Sequence, residues 1–234
     1  TIAGAREAGI TVLPPDINES DPGFTYVDDQ TIRFGLLAIK NLGSDVVEAV
    51  IKEREQSSDN KSLALSDATK LSFGPYRDLE DFLRRVQHKN VNKKSLESLV
   101  KSGALDRFSD RGVMLENMEI MLAFNRAVSA PPSKQSSLFG ALAQEHKLKL
   151  KNALPATQAE KLTWEKELLG LYVTAHPLAE FAPQLKDKTL EIKALAEIPE
   201  STSVCVAGAL VECKKRFTKK NEAMLTARLQ DLTG

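Results

Sequence analysis

Residues 36–47, LLAIKNLGSDVV, and residues 99–106, LVKSGALD, each predict two helices joined by a tight turn that contains a glycine. After Gly43, apolar residues such as Val46 and Val50 recur at helical spacing. A helix that begins directly after such a turn has unpaired backbone N–H groups at its start, where its dipole favours an anion. Each stretch therefore predicts a helical hairpin with a phosphate-binding turn. The plain alternative is an ordinary hairpin with a glycine C-cap.

Further helices are predicted on both sides of the second hairpin. Apolar residues keep helical spacing over residues 79–122, and the methionines among them, such as Met118, are expected in the core because methionine fills irregular gaps. Another amphipathic helix is predicted over residues 158–173, ended by His176-Pro177.

Strands are predicted near both ends of the chain. Residues 10–13 have the composition of a short strand, and residues 26–34 are typical of a hairpin that turns at 28–30. Alternating apolar residues over 204–210 and 225–229 predict two more strands. The predicted fold class is therefore mainly α with a small β element.

Composition excludes several classes of protein. The 234 residues are 42% hydrophobic and 27% charged, as in a globular protein rather than a disordered one. Thirty-two basic residues balance thirty-two acidic ones, so any nucleic-acid contact must rest on local patches. Two cysteines and three scattered histidines predict no metal site. Since no apolar run approaches the length of a membrane span, we expect no membrane partner and a cytoplasmic location.

A local excess of positive charge lies around the second hairpin. Residues 77–111 contain nine Lys and Arg against six Asp and Glu. The basic residues nearest to its glycine turn are Lys93, Lys94, Lys101, Arg107 and Arg111.

A short apolar peptide interrupts the Pro/Ser-rich stretch 127–137, which has the composition of an exposed linker. It consists of Gln135, Ser136, Ser137, Leu138 and Phe139. Large apolar side chains in a linker gain nothing from folding and are typical of a peptide that anchors in a partner's groove. The alternative is that Leu138 and Phe139 pack on their own domain.

A basic turn with an aromatic residue is predicted between the last two strands. Its candidate contacts to single-stranded nucleic acid are Lys214, Lys215, Arg216, Phe217, Lys219 and Lys220. The alternative is a solvated hairpin tip. Asn221 is suited to a left-handed backbone conformation in this turn.

Five stretches, taken in order along the chain, carry a resemblance to a known family. They are residues 13–18 (LPPDIN), 32–43 (IRFGLLAIKNLG), 92–106 (NKKSLESLVKSGALD), 167–178 (ELLGLYVTAHPL) and 229–231 (LQD). Together they resemble the bacterial DNA polymerase III alpha subunits, the replicative C-family polymerases.

The resemblance implies a piece of such a polymerase, divided into five regions. These are 1–30, the end of the fingers domain; 31–126, a tandem helix-hairpin-helix or little-finger domain; 127–150, a linker with a clamp-binding peptide; 151–200, a helical connector; and 201–234, the truncated first strands of an OB fold. Compared with the family, residues 56–75 resemble an inserted loop.

The resemblance also implies roles for particular residues. In the family, helix-hairpin-helix turns hold double-stranded DNA by its backbone, which assigns phosphate contacts to Lys40, Asn41, Gly43, Ser44, Ser102 and Gly103, beside the basic residues named above. Residues 135–139 would bind the sliding clamp (the beta subunit) and confer processivity. Single-stranded template DNA would be a further partner of the chain. We expect this piece to be non-catalytic and to bind no cofactor, whereas the parent polymerase would use magnesium. The alternatives are a structural spacer and a fragment that retains nucleotidyl transfer.

Overall fold

The computed structural model describes residues 9–55, 74–129, 147–186, 188–218 and 221–231. The chain divides into two compact units, and the division falls between Val173 and Thr174. This boundary lies inside the predicted connector 151–200. Within the described residues, no helix is both long enough and apolar enough to cross a membrane.

A three-stranded sheet begins the first unit. Its strands are β1 (Thr11–Leu13), β2 (Thr25–Asp28) and β3 (Thr31–Arg33), in the order β1-β3-β2. β1 pairs in parallel with β3, and β2 pairs antiparallel to β3. Both the short strand and the hairpin predicted from the sequence are confirmed.

Six helices follow in the described part of this unit. They are α1 (Ser44–Glu55), α2 (Leu79–Arg85), α3 (Lys93–Lys101), α4 (Arg111–Glu116), α5 (Met118–Ser129) and α6 (Gln158–Leu169). Local sequence explains several of their starts. The Asn92 side chain accepts a hydrogen bond from the backbone N–H of Ser95, and the Thr157 side chain accepts one from Glu160.

Two helices differ from the sequence prediction in their bounds, and a third crosses a predicted domain boundary. Before Gly43 there is only a short 3-10 helix, Leu36–Ala38, rather than a full helix. Helix α5 continues to Ser129, past the predicted domain end at residue 126. Helix α6 ends at Gly170 rather than at His176-Pro177, because this glycine adopts a left-handed conformation (φ 81°) that stops the helix.

The core of the first unit lies where the helices meet the sheet. Ile17, Leu36 and Leu96 are completely buried there. The three methionines of the helical stretch, Met114, Met118 and Met121, are also buried, with exposed fractions of 0%, 4% and 0%, so their predicted place in the core is confirmed.

Residues 147–157, which we call the strap, have no regular secondary structure and contact the helices. The N–H of Leu148 donates to the Glu80 carboxylate (2.9 Å). The N–H of Ala156 donates to the Asp110 carboxylate (2.6 Å). The end of the predicted linker 127–150 is therefore attached to the helical unit.

The second unit contains a two-stranded antiparallel sheet of β4 (Ala209–Phe217) and β5 (Ala223–Gln230). Its short helices are two 3-10 segments, Ala179–Phe181 and Ile192–Glu197, and α7, Ala182–Leu185. Of the strand predicted over 204–210, residues 209 and 210 belong to β4, and residues 204–208 form only an isolated bridge between Val206 and Leu190. Asn221 has the predicted left-handed conformation (φ 62°).

We expect acid to weaken the attachment of the strap. Burial alone would raise the pKa of Glu80, but the Leu148 N–H and the Arg84 guanidinium outweigh it and lower that pKa. A carboxylate with a lowered folded-state pKa stabilises the fold above its unfolded-state pKa, and this contribution is lost as the pH falls through the folded-state value. Urea unfolding should therefore give a free energy that falls below about pH 4.5 in the wild type and falls less steeply in Glu80→Gln.

The matched control for this experiment is Glu116→Gln, which removes an exposed carboxylate from α4. It should retain the wild-type pH dependence. Equal acid sensitivity in Glu80→Gln and the wild type would contradict the role of Glu80.

Candidate nucleic-acid interface

The first hairpin turn is exposed at all four of its predicted contact residues, Lys40, Asn41, Gly43 and Ser44. The residue with the left-handed conformation is Asn41 (φ 65°) rather than Gly43. Asparagine tolerates this conformation better than other residues with a side chain, so the turn forms without a glycine at that position.

The start of α1 offers backbone donors next to this turn. The N–H groups of Val46 and Val47 donate to the carbonyl of Gly43, at 3.1 and 3.2 Å. The N–H groups of Ser44 and Asp45 have no acceptor within the described part of the chain. Because α1 has twelve residues, its dipole adds to these donors at the exposed end. The geometry fits the phosphate-binding turn expected from the sequence.

A second helix start lies beside the first. The Asn90 side chain donates to the Asp45 carboxylate (2.9 Å) and so links the turn before α3 to the start of α1. Lys94 is exposed and has no side-chain partner among the described residues. Lys93 is also exposed, and its ion pair with Glu119 (2.8 Å) raises the pKa of Lys93.

The second glycine turn is buried, which corrects the expectation that Ser102 and Gly103 lie next to a phosphate. Ser102 is 0% exposed, and its hydroxyl donates to the carbonyl of Leu99 (3.1 Å). The carbonyl of Ala104 accepts a hydrogen bond from the N–H of Ile17 (2.9 Å). This turn packs in the core, and its backbone donors face protein.

Two of the basic residues around the second turn, Lys101 and Arg107, are held in ion pairs. Lys101 pairs with Glu97 (2.6 Å), and Arg107 pairs with Asp16 (3.2 Å) and Glu19 (3.0 Å). These pairs compete with any phosphate contact, so the cluster predicted from the sequence is less available than its charge count indicates.

Arg111 is a structural residue at the centre of the unit. Its side chain is 1% exposed, and Nη2 lies 2.8 Å from Asp106 and 3.1 Å from Glu165. The glycine at 103 is required because a Cβ at that position would clash with the Arg111 guanidinium. Sequence reasoning missed Glu165, which is 54 residues away and carries no local signal.

The candidate single-strand residues lie partly in a strand. Lys214, Lys215, Arg216 and Phe217 belong to β4, so the turn is shorter than predicted. Because side chains alternate along a strand, Lys215 and Phe217 share one face while Lys214 and Arg216 share the other. Lys215 Nζ lies 5.6 Å from the centroid of the Phe217 ring. Lys219 and Lys220 fall outside the described residues, and single-strand contact stays a prediction.

The candidate clamp peptide, residues 135–139, also falls outside the described residues. The nearest described residues on its two sides are Ser129, at the end of α5, and Lys147, at the start of the strap. Both belong to the first unit. Elsewhere in the described ranges, no three His, Cys, Asp or Glu side chains are grouped as ligands of a metal ion.

Substitution of glycine by alanine should change the stability of the protein differently at the two glycine turns. Gly103→Ala forces a side chain into a left-handed conformation (φ 89°) against Arg111, so we expect a loss of about 2 kcal/mol or more in the free energy of unfolding. Gly43 has open space around it, and Gly43→Ala is the matched control with an expected change near zero. Thermal and urea unfolding measure both. Equal stability of the two variants would contradict the burial of the second turn.

Comparison with known proteins places the chain in a family. The family model described as a helix-hairpin-helix motif matches residues 9–73 and 67–114. DNA polymerase III subunit alpha of Thermus aquaticus is 35% identical over 237 residues, covering 100% of this chain and 18% of the relative. The proteins of the same name from Aquifex aeolicus and Deinococcus radiodurans are 31% and 36% identical, covering 100% and 76% of this chain and 17% and 12% of those relatives.

The chain therefore spans less than a fifth of the length of these curated relatives. The relatives share one name, and the first two align with this chain over its entire length. The chain belongs to the DNA polymerase III alpha subunit family.

Proposed function

We propose that this chain is a region of a replicative polymerase that holds double-stranded DNA by its backbone and tethers the polymerase to the sliding clamp. The observation that carries the DNA-holding role is the exposed first hairpin turn, where the N–H groups of Ser44 and Asp45 have no acceptor among the residues that the structure describes. The helix-hairpin-helix match and the polymerase relatives support the same role.

The proposed DNA surface is smaller than the sequence indicates. It consists of the first hairpin turn, Lys40 to Ser44, and the start of α3 with Lys93 and Lys94. Ser102 and Gly103 are left out because they are buried. Lys101 and Arg107 are left out because they are paired and their side chains are only 24% and 34% exposed, whereas the pair of Lys93 with Glu119 lies at the surface, with the Lys93 side chain 63% exposed. Contacts from backbone N–H groups and lysines to phosphates position a duplex without reading its sequence. Since the whole chain has no net charge, the affinity of this region alone should be weak.

The duplex contact predicts a particular salt dependence. In the double variant Lys40→Ala, Lys94→Ala, duplex affinity should fall, and the slope of log affinity against log salt should become shallower by about 2. Fluorescence anisotropy with a labelled duplex between about 50 and 200 mM salt measures both quantities. Lys52→Ala is the matched control, because Lys52 is an exposed lysine near the opposite end of α1. An unchanged slope in the double variant would contradict the proposed surface.

The tethering role rests on the peptide Gln135 to Phe139. Leu138 and Phe139 would enter an apolar pocket of the clamp while Gln135 forms hydrogen bonds at its rim. Such a tether raises the effective concentration of the polymerase at the primer end and so confers processivity. We assign nucleotidyl transfer, with its magnesium, to the parent polymerase rather than to this region.

Clamp binding is tested by surface plasmon resonance with purified sliding clamp. The triple variant Gln135→Ala, Leu138→Ala, Phe139→Ala should lose saturable binding, because it removes both apolar anchors and the polar contact. The control Ser136→Ala, Ser137→Ala changes the same peptide without touching the anchors and should bind as the wild type does. Equal binding of the triple variant would rule out this peptide as the tether.

A further inference from the structure

We propose that Glu165 is a positioning residue for the first hairpin turn, acting through helix α6. The inference rests on the proposed function for its effect on DNA, whereas its effect on the turn stands independently. Helix α6 was expected only as part of a connector, and the structure gives it contacts to both hairpins.

The first contact joins α6 to the exposed turn. The backbone N–H of Lys40 donates to the carbonyl of Leu168 (3.1 Å). Leu168 lies in the last turn of α6, where carbonyl groups have no partner within the helix and the dipole is negative. The next residue after Lys40 is Asn41, with its left-handed conformation. The C-terminal end of α6 therefore fixes the turn at the residue where the chain changes direction.

The second contact fixes α6 itself. Glu165 lies three residues before Leu168 and is 0% exposed. One of its carboxylate oxygens accepts a hydrogen bond from Arg111 Nη2 (3.1 Å), and the other accepts one from the N–H of Val173 (3.0 Å). The carboxylate thus connects α6 to the start of α4 and to the chain that follows Gly170.

Apolar packing and directional contacts both hold α6. Leu162, Leu168 and Leu169 bury one side of the helix, and the hydrophobic effect that favours this burial is non-directional. The ion pair with Arg111 adds a directional constraint, because both groups are buried and their geometry is set by hydrogen bonds. Arg111 is held in turn by Asp106 (2.8 Å) and by the carbonyl of Lys101 (3.1 Å). The buried second hairpin therefore positions the exposed first one.

The direct test is hydrogen exchange at the Lys40 amide, measured by NMR on the full chain. In Glu165→Gln, the protection of this amide should fall by about tenfold because the carbonyl of Leu168 is no longer held in place. Glu167→Gln removes an exposed carboxylate from the same helix and is the matched control, with wild-type protection expected. Unchanged Lys40 protection in a folded Glu165→Gln variant would overturn the proposal.

A second variant tests the same contact without disturbing the buried ion pair. Gly170→Ala forces an alanine into the left-handed conformation that ends α6, in open space, and should also displace the carbonyl of Leu168. If Glu165→Gln does not fold, this variant decides the question: wild-type protection of Lys40 in Gly170→Ala would overturn the role of α6.

Duplex binding separates this proposal from the proposed function. Glu165→Gln should weaken duplex affinity severalfold while keeping the wild-type salt slope, because no lysine is removed. Equal affinity of a labelled duplex for Glu165→Gln and the wild type would overturn the effect on DNA. If the wild-type chain bound no duplex, the proposed function would fail, and the exchange measurements would still decide whether Glu165 positions the turn.

Discussion

The first unit depends on the loop of residues 14–20, in which Ile17 and Ser20 are completely buried, because it is the point where the sheet, helix α1 and the second hairpin meet. Arg54 of α1 donates to the carbonyls of Ile17 (3.2 Å) and Ser20 (2.8 Å). The N–H of Ile17 donates in turn to Ala104 in the second hairpin (2.9 Å). A buried guanidinium without acceptors would lower the free energy of unfolding by several kcal/mol, so Arg54 can be buried only because these carbonyls accept its hydrogen bonds.

This constraint explains why two similar hairpins have different roles. The loop is bonded to the second hairpin at Ala104, and that glycine turn is buried, while the first turn stays at the surface. Gly103 is then needed to accommodate Arg111, whereas Gly43 precedes an exposed helix start. The buried hairpin supplies stability and the exposed one supplies the proposed contact to DNA. A tandem motif is thus divided between a structural copy and a candidate binding copy.

Helix α6 and the strap extend the same unit beyond the helix-hairpin-helix match, which ends at residue 114. Each is attached by side-chain carboxylates or amides of the helical core. Asn117 donates to the carbonyl of Lys151 (2.9 Å) and accepts from its N–H (2.7 Å), which leaves both backbone groups satisfied. The residues that flank the proposed clamp peptide are therefore fixed to the unit that carries the proposed DNA surface.

Local sequence determined the strands at 11–13 and 25–33, most helix starts, the burial of Met114, Met118 and Met121 and the left-handed Asn221, because each depends on propensity, capping or periodicity within a few residues. It also identified the exposed first turn as a candidate site. Only the tertiary structure decided that Ser102 and Gly103 are buried and that Glu165 meets Arg111. Those outcomes depend on partners far away in the sequence, and a charge pattern cannot distinguish a lysine or arginine that faces solvent from one held in an ion pair.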